Sequence, residues 1–177
     1  MSNENSGQEY LKIIAQIIAM EMGLNTTSTD PQAQRVIIWH ENYDLPKTEG
    51  LLIVLSEDPG KVIGLKTSFN DALPTPLEQQ ELVIAKTVDI DVMSRNFEAR
   101  QHKEEVLMAL ASFYSQQQQE AAGFRIFAYP NSFLDISEAE GSSNIYRFRA
   151  SMIVHVRYSK TKTVNYYNSF ERNIIAN

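Results

Sequence analysis

The stretch from Glu81 to Ala122 constrains the fold most, because the hydrophobic period changes once inside it. In Glu81-Leu-Val-Ile-Ala-Lys-Thr-Val-Asp-Ile-Asp-Val-Met93, the apolar residues Leu82, Ile84, Val88, Ile90 and Val92 alternate with positions that include Glu81, Thr87, Asp89 and Asp91. Side chains of a strand point to opposite faces in turn, so this segment predicts one long strand with an apolar and an acidic face. Lys86 interrupts the apolar face and predicts a bend or an exposed end there. From Ser94 the spacing changes to threes, fours and their sums. Phe97, Val106, Leu107, Leu110, Phe113 and Tyr114 then form one stripe on a single long helix. Ser94 or Asn96 is placed to cap its first N–H groups, and Gly123 stands where a left-handed residue closes a helix. A strand that runs into a helix able to cover it is the nucleus of a two-layer domain.

The flanking segments add to that nucleus. Leu11, Ile14, Ile17, Ile18 and Met22 line one side of a first helix over Gln8–Met22, which Gly23 can end. Strands are predicted over Arg35–His40, Leu51–Ser56, Lys61–Phe69, Phe124–Tyr129 and Ile145–Tyr158. Leu51–Ser56 is almost wholly apolar, so it is buried on both faces or lies at a subunit contact. Glu57-Asp-Pro-Gly60 has the residues of a reverse turn, with glycine at a positive φ, joining that strand to Lys61–Phe69 as a hairpin. In Ile145–Tyr158 the residues Tyr146, Phe148, Ala150, Met152, Val154, Val156 and Tyr158 share one face, and Arg147, Arg149, Ser151, His155 and Arg157 the other. The expected fold is α+β: a mixed, mostly antiparallel sheet of about five to six strands with two helices packed on one face. Residues 1–7 read as a disordered leader, 8–158 as a single domain, and 159–177 as a C-terminal arm or docked tail.

The 177 residues contain no cysteine, which excludes disulfides, thiol catalysis and cysteine-ligated zinc. A net charge of −6 opposes tight binding to phosphate backbones through a broad basic surface. No apolar run approaches the length of a membrane span, and Leu11–Met22, interrupted by Lys12, Gln16 and Glu21 behind a polar leader, is not a signal peptide. His40, His102 and His155 have no catalytic or metal-binding spacing. Asp89 and Asp91 share a strand face and could bridge a cation, but Arg147, Arg149 and Arg157 offer them cross-strand partners, and pairing is the favoured reading. No catalytic residue, cofactor or metal site is assigned. Leu51, Ile53, Leu55, Phe69, Tyr166, Tyr167, Phe170 and Ile174 are candidate contacts with other protein chains.

Several of these segments together resemble a known family. Val36-Ile-Ile-Trp-His-Glu-Asn-Tyr-Asp-Leu-Pro46 followed by Leu51–Leu55 is similar to the opening of phage neck and tail terminator proteins. Val88-Asp-Ile-Asp-Val-Met-Ser-Arg-Asn-Phe-Glu-Ala-Arg100 resembles their strand-to-helix junction, and Gly123-Phe124 and the arginine-bearing strand Tyr146–Tyr158 fit the same pattern. The second proline that usually precedes the next strand is replaced by Lys47-Thr-Glu-Gly50. The resemblance spans Gln8–Tyr158 and implies a structural virion protein without enzymatic activity. Such a protein forms a ring, commonly a hexamer, at the head-proximal end of the tail tube. It stops tube polymerisation and receives the head connector or head-closure protein. DNA passes through the lumen as cargo, no membrane is involved, and assembly takes place in the host cytoplasm. The alternatives are another neck component (a head-closure or tail-completion protein), the cap of a tail-like injection system, or, remotely, a metal-dependent enzyme using Asp89 and Asp91.

Overall fold

The alternation in the two long segments is realised as two 18-residue strands, β4 (Leu77–Ser94) and β7 (Tyr146–Thr163). They pair antiparallel without a register break from Leu77↔Thr163 to Ser94↔Tyr146. The computed structural model describes residues 9–24, 35–39, 50–70, 77–137 and 145–163. The other elements are α1 (Glu9–Glu21), β1 (Val36–Ile38), β2 (Leu52–Glu57), β3 (Lys61–Asn70), α2 (Glu98–Ala111), α3 (Phe113–Ala122), β5 (Phe124–Ala128) and β6 (Leu134–Asp135). Together the strands form a seven-stranded mixed sheet ordered β1-β2-β4-β7-β5, with β3 on β4 and β6 on β7. The β1–β2 pair is parallel and every other pair antiparallel, so the α+β expectation holds. No helix among the described residues is long and apolar enough to cross a membrane.

Register explains where the core lies. Val88, Ile90 and Val92 stand opposite Met152, Ala150 and Phe148, and directly opposed residues share a face. That face packs with Leu11, Ile14 and Ile18 of α1 and with Ala99, Val106 and Leu110 of α2 in one buried cluster. Ser94 Oγ accepts from the Ala99 N–H at 2.9 Å and Asn96 Oδ1 from the Glu98 N–H at 3.0 Å, so both residues named as caps serve α2. Gly23 and Gly123 adopt the positive φ expected of helix ends, 65° and 71°.

Several expectations are corrected. The long helix is two helices. Ser112 has an extended backbone (φ −64°, ψ 159°) and accepts from the Ser115 N–H at 3.0 Å, starting α3 as its cap. Phe97, ahead of α2, and Phe113, past the break, are exposed while Val106 and Leu110 are buried, which splits the predicted stripe. Helix α3 contacts α1 and β5. β6, which is not among the predicted strands, is a two-residue strand too short to show alternation. β7 does not stop at Tyr158 but continues through Thr163, so the anticipated boundary at 158/159 falls inside a strand.

The predicted β2–β3 hairpin is also absent. Both strands run antiparallel along the same edge of β4, β2 against Val88–Met93 and β3 against Leu77–Ala85. Asp58-Pro59-Gly60 is therefore a jog in one continuing direction, held by Asp58 N–H to Thr87 O at 3.0 Å. Gly60 is not among the positive-φ glycines; its role is close approach. A Cβ there would lie 2.5 Å from Ile84 Cγ2 and 2.8 Å from Lys86 Cγ. The hairpin partner of β3 is β4 itself.

Lys86, the charge on the apolar face, sits where the helical layer ends. Its Nζ is 3.0 Å from Glu57 Oε2 and 5.3 Å from the centre of the Tyr10 ring at the start of α1. Tyr10 donates its hydroxyl to the same carboxylate. Burial, and then the bond to Glu57, push the Tyr10 hydroxyl well above the ordinary tyrosine range, so it stays a donor.

Gly60→Ala should destabilise the fold by about 1–3 kcal/mol through overpacking against β4. Gly64→Ala, where a Cβ would meet Val83 no closer than 3.7 Å, should stay within about 0.5 kcal/mol of wild type. Urea denaturation of the two variants checks the contrast.

Candidate functional site

On the sheet face turned away from the main cluster, the residues singled out from the sequence meet. Asp91 and Arg149 are directly opposed across β4 and β7, and Met93 opposes Arg147. Asp91 accepts from Arg149 Nε and Nη2, both at 2.8 Å, and from Arg147 Nη2 at 2.9 Å. Its side chain is only 5% exposed. Burial alone would raise the Asp91 carboxyl; the bonds and charge from Arg149 and Arg147 outweigh it and hold the group below the ordinary aspartate value. Asp89 accepts from Ser151 Oγ at 2.6 Å and lies 3.8 Å from Arg149 Nη1. The arrangement keeps a buried carboxylate charged and fastens β4 to β7.

Arg157 does not join this group. It is exposed and opposes Val83, at the other end of the pairing from Asp91. Among the described residues no group of three or more His, Asp or Glu side chains is placed to hold a metal ion. His102 Nδ1 contacts Glu105 on α2, His155 stacks on Phe127, and His40 lies outside the described residues. Trp39, within the predicted strand Arg35–His40, is 49% exposed just past the end of β1. A cleft of about 290 Å³ between α3 and β5 is lined in part by Gln119, which already donates to Ser115 Oγ and accepts from the Ile126 N–H.

The candidate contacts divide sharply. Leu51, Ile53 and Leu55 are buried within this chain, Ile53 and Leu55 completely, and have no surface left for a neighbour. Of the two readings of that strand, burial on both faces is the one realised: Leu52 and Val54 form a second cluster with Ile37 and Met93. Tyr166, Tyr167, Phe170 and Ile174 lie outside the described residues. Phe69 is exposed, and it has company. Beyond Lys86 the paired strands β3, β4 and β7 continue as a three-stranded ribbon through Asn70↔Leu77↔Thr163. The core-side face of the ribbon carries Leu82 and Ile84 of β4 opposite Leu65 and Val62 of β3. Leu65 is 74% exposed, Phe69 60% and Val62 56%.

The sequence concealed this patch because β3 contains a bulge. The register shifts between Val62 and Gly64, so Val62, Leu65 and Phe69 fall on one face although their numbers do not alternate. The available clue was the isolated Gly64 within a strand pattern.

Asp91→Asn should cost about 2–3 kcal/mol at neutral pH, softened by the partly open arginines. Because folding lowers the Asp91 carboxyl, its contribution is fully present above the unfolded value of about 4 and is lost as pH falls through the lower folded value. Denaturation curves should therefore show a constant gap between wild type and variant from about pH 5 to 8 that closes below about pH 4. Compared with protein-family models and with the sequences of characterised proteins, the chain matches none.

Proposed function

We propose that this chain is a structural virion protein, a tail terminator that assembles as a ring at the head-proximal end of a phage tail tube. In this reading it stops tube growth and receives the head connector, and DNA passes through its lumen. The observation that carries the reading is the ribbon. Its apolar face continues the core face past the last helix contact, and β3 forms an edge of the sheet in the described residues. A ten-residue edge strand bearing exposed Val62, Leu65 and Phe69 is a surface built for another protein chain.

A second copy is the occupant that charge favours. The apolar face of the ribbon also carries Lys160 and Lys162 against Glu78, in a chain of net charge −6. That face is weakly basic and the chain as a whole acidic, so ribbon against body is favoured over ribbon against ribbon. A contact between unlike patches is heterologous, and heterologous contacts close into a ring when the rotation between successive copies closes. The element order that resembles the terminator family supports the same reading. Another neck component uses the same geometry and differs in its position in the particle.

Size-exclusion chromatography with light scattering and negative-stain imaging tests this, alone and with tail tubes. Wild type should form rings, and Leu65→Glu with Phe69→Glu should leave folded monomers, since both side chains are exposed in the single chain. A wild-type protein that stays monomeric at high concentration and beside tail tubes overturns the reading.

A further inference from the structure

The positive charge on this chain is also gathered on the opposite sheet face. Lys61 of β3 and Arg125 of β5 end one row of opposed residues that runs through Ala85 and His155. Four strands at about 4.8 Å spacing put those ends about 14 Å apart. The neighbouring row is Gly64, Val83 and Arg157, and beyond it stand Lys66, Glu81 and Ser159. The bulge in β3 is what brings both Lys61 and Lys66 to this face. Lys61, Lys66, Arg125 and Arg157 are all exposed, and among the described residues none has an ion-pair partner. Between them the floor is Gly64, Val83 and Ala85, small enough to let an extended ligand approach the sheet.

Two further features select the ligand. Asp89 and Asp91 lie on the same face but are engaged by Ser151, Arg149 and Arg147, which leaves Glu81 and Asp58, whose charge acts on Arg149, as the acids near the four cations. At the rim, Phe127 stacks on His155 with ring centres 4.4 Å apart and planes 13° from parallel, and Phe127 as a residue is 65% exposed. An acidic protein surface would pair with the cations and leave that ring unused. A nucleic-acid strand uses both, its phosphates meeting the cations and a base stacking on the ring.

We propose that this open sheet face binds nucleic acid, with Lys61, Lys66, Arg125 and Arg157 on the phosphates and Phe127 against a base. The net charge of −6 makes the contact weak and confined to low ionic strength. The inference stands apart from the ring assignment, because a monomer presents the same face.

Fluorescence anisotropy with labelled oligothymidylate and with a duplex, across a salt series, tests it. Four phosphate contacts predict a slope of log affinity against log salt of about −3 for the single strand. Arg157→Glu should reduce that slope by about one. Lys160→Glu, the same charge change on the ribbon's other face, should leave the slope unaltered. Phe127→Ala should weaken single-strand binding at least about fivefold and spare the duplex. Light scattering on the same samples reads assembly separately. Absence of binding at low salt, or equal losses from Arg157→Glu and Lys160→Glu, overturns the proposal. So does an Arg157→Glu variant that binds oligonucleotide normally but no longer self-associates, which would make the face a subunit contact. Arg157→Gln, which keeps the side chain's bulk, repeats the test with a smaller expected loss.

Discussion

The unbroken pairing of β4 with β7 is the constraint on which the rest of the molecule depends. Two strands of 18 residues in one register fix the face of every residue on both of them. A slip of one residue would turn Val88, Ile90 and Val92 away from α1 and α2 and bury the acidic row in their place. The Asp91–Arg149 pair guards against that slip, since it forms only when the two residues are opposed. The arginine bonds outweigh the cost of burying its carboxylate, and its value lies as much in specifying register as in stability.

Much of this was legible in the sequence, for definite reasons. Alternation revealed β4 and β7 because each is long and covered by helices along only part of one face. The caps at Ser94, Asn96, Gly23 and Gly123 were legible because few residue types satisfy helix ends. Asp91 and its arginines were legible because opposite charges on facing strands have little else to do.

What escaped the reading was non-local or locally ambiguous. Asp-Pro-Gly is turn chemistry, yet here it serves a jog, because β4 is long enough to accept two successive strands on one edge. The apolar spacing ran on across Ser112 while the backbone broke there, since a serine that can cap competes with helix continuation. Leu51, Ile53 and Leu55 were ambiguous between core and contact because an all-apolar strand reads the same way in either place. The bulge at Val62/Gly64 redistributed apolar and basic residues between the ribbon's faces, and no periodicity count anticipates a skipped residue.

The collinear arrangement of β2 and β3 has a kinetic consequence. The β3–β4 pairing is local, with Asn70 opposite Leu77, whereas β4 meets β7 only across a separation such as that of Asp89 from Ser151. Loop-closure entropy therefore favours the ribbon's hairpin as an early structure, with the long chain excursion through α2, α3 and β5 closed afterwards. During that interval the β4 edge that β7 will occupy stands open. A nascent chain in this state is most exposed to pairing with the wrong strand, and a high concentration of copies during synthesis makes that hazard worse.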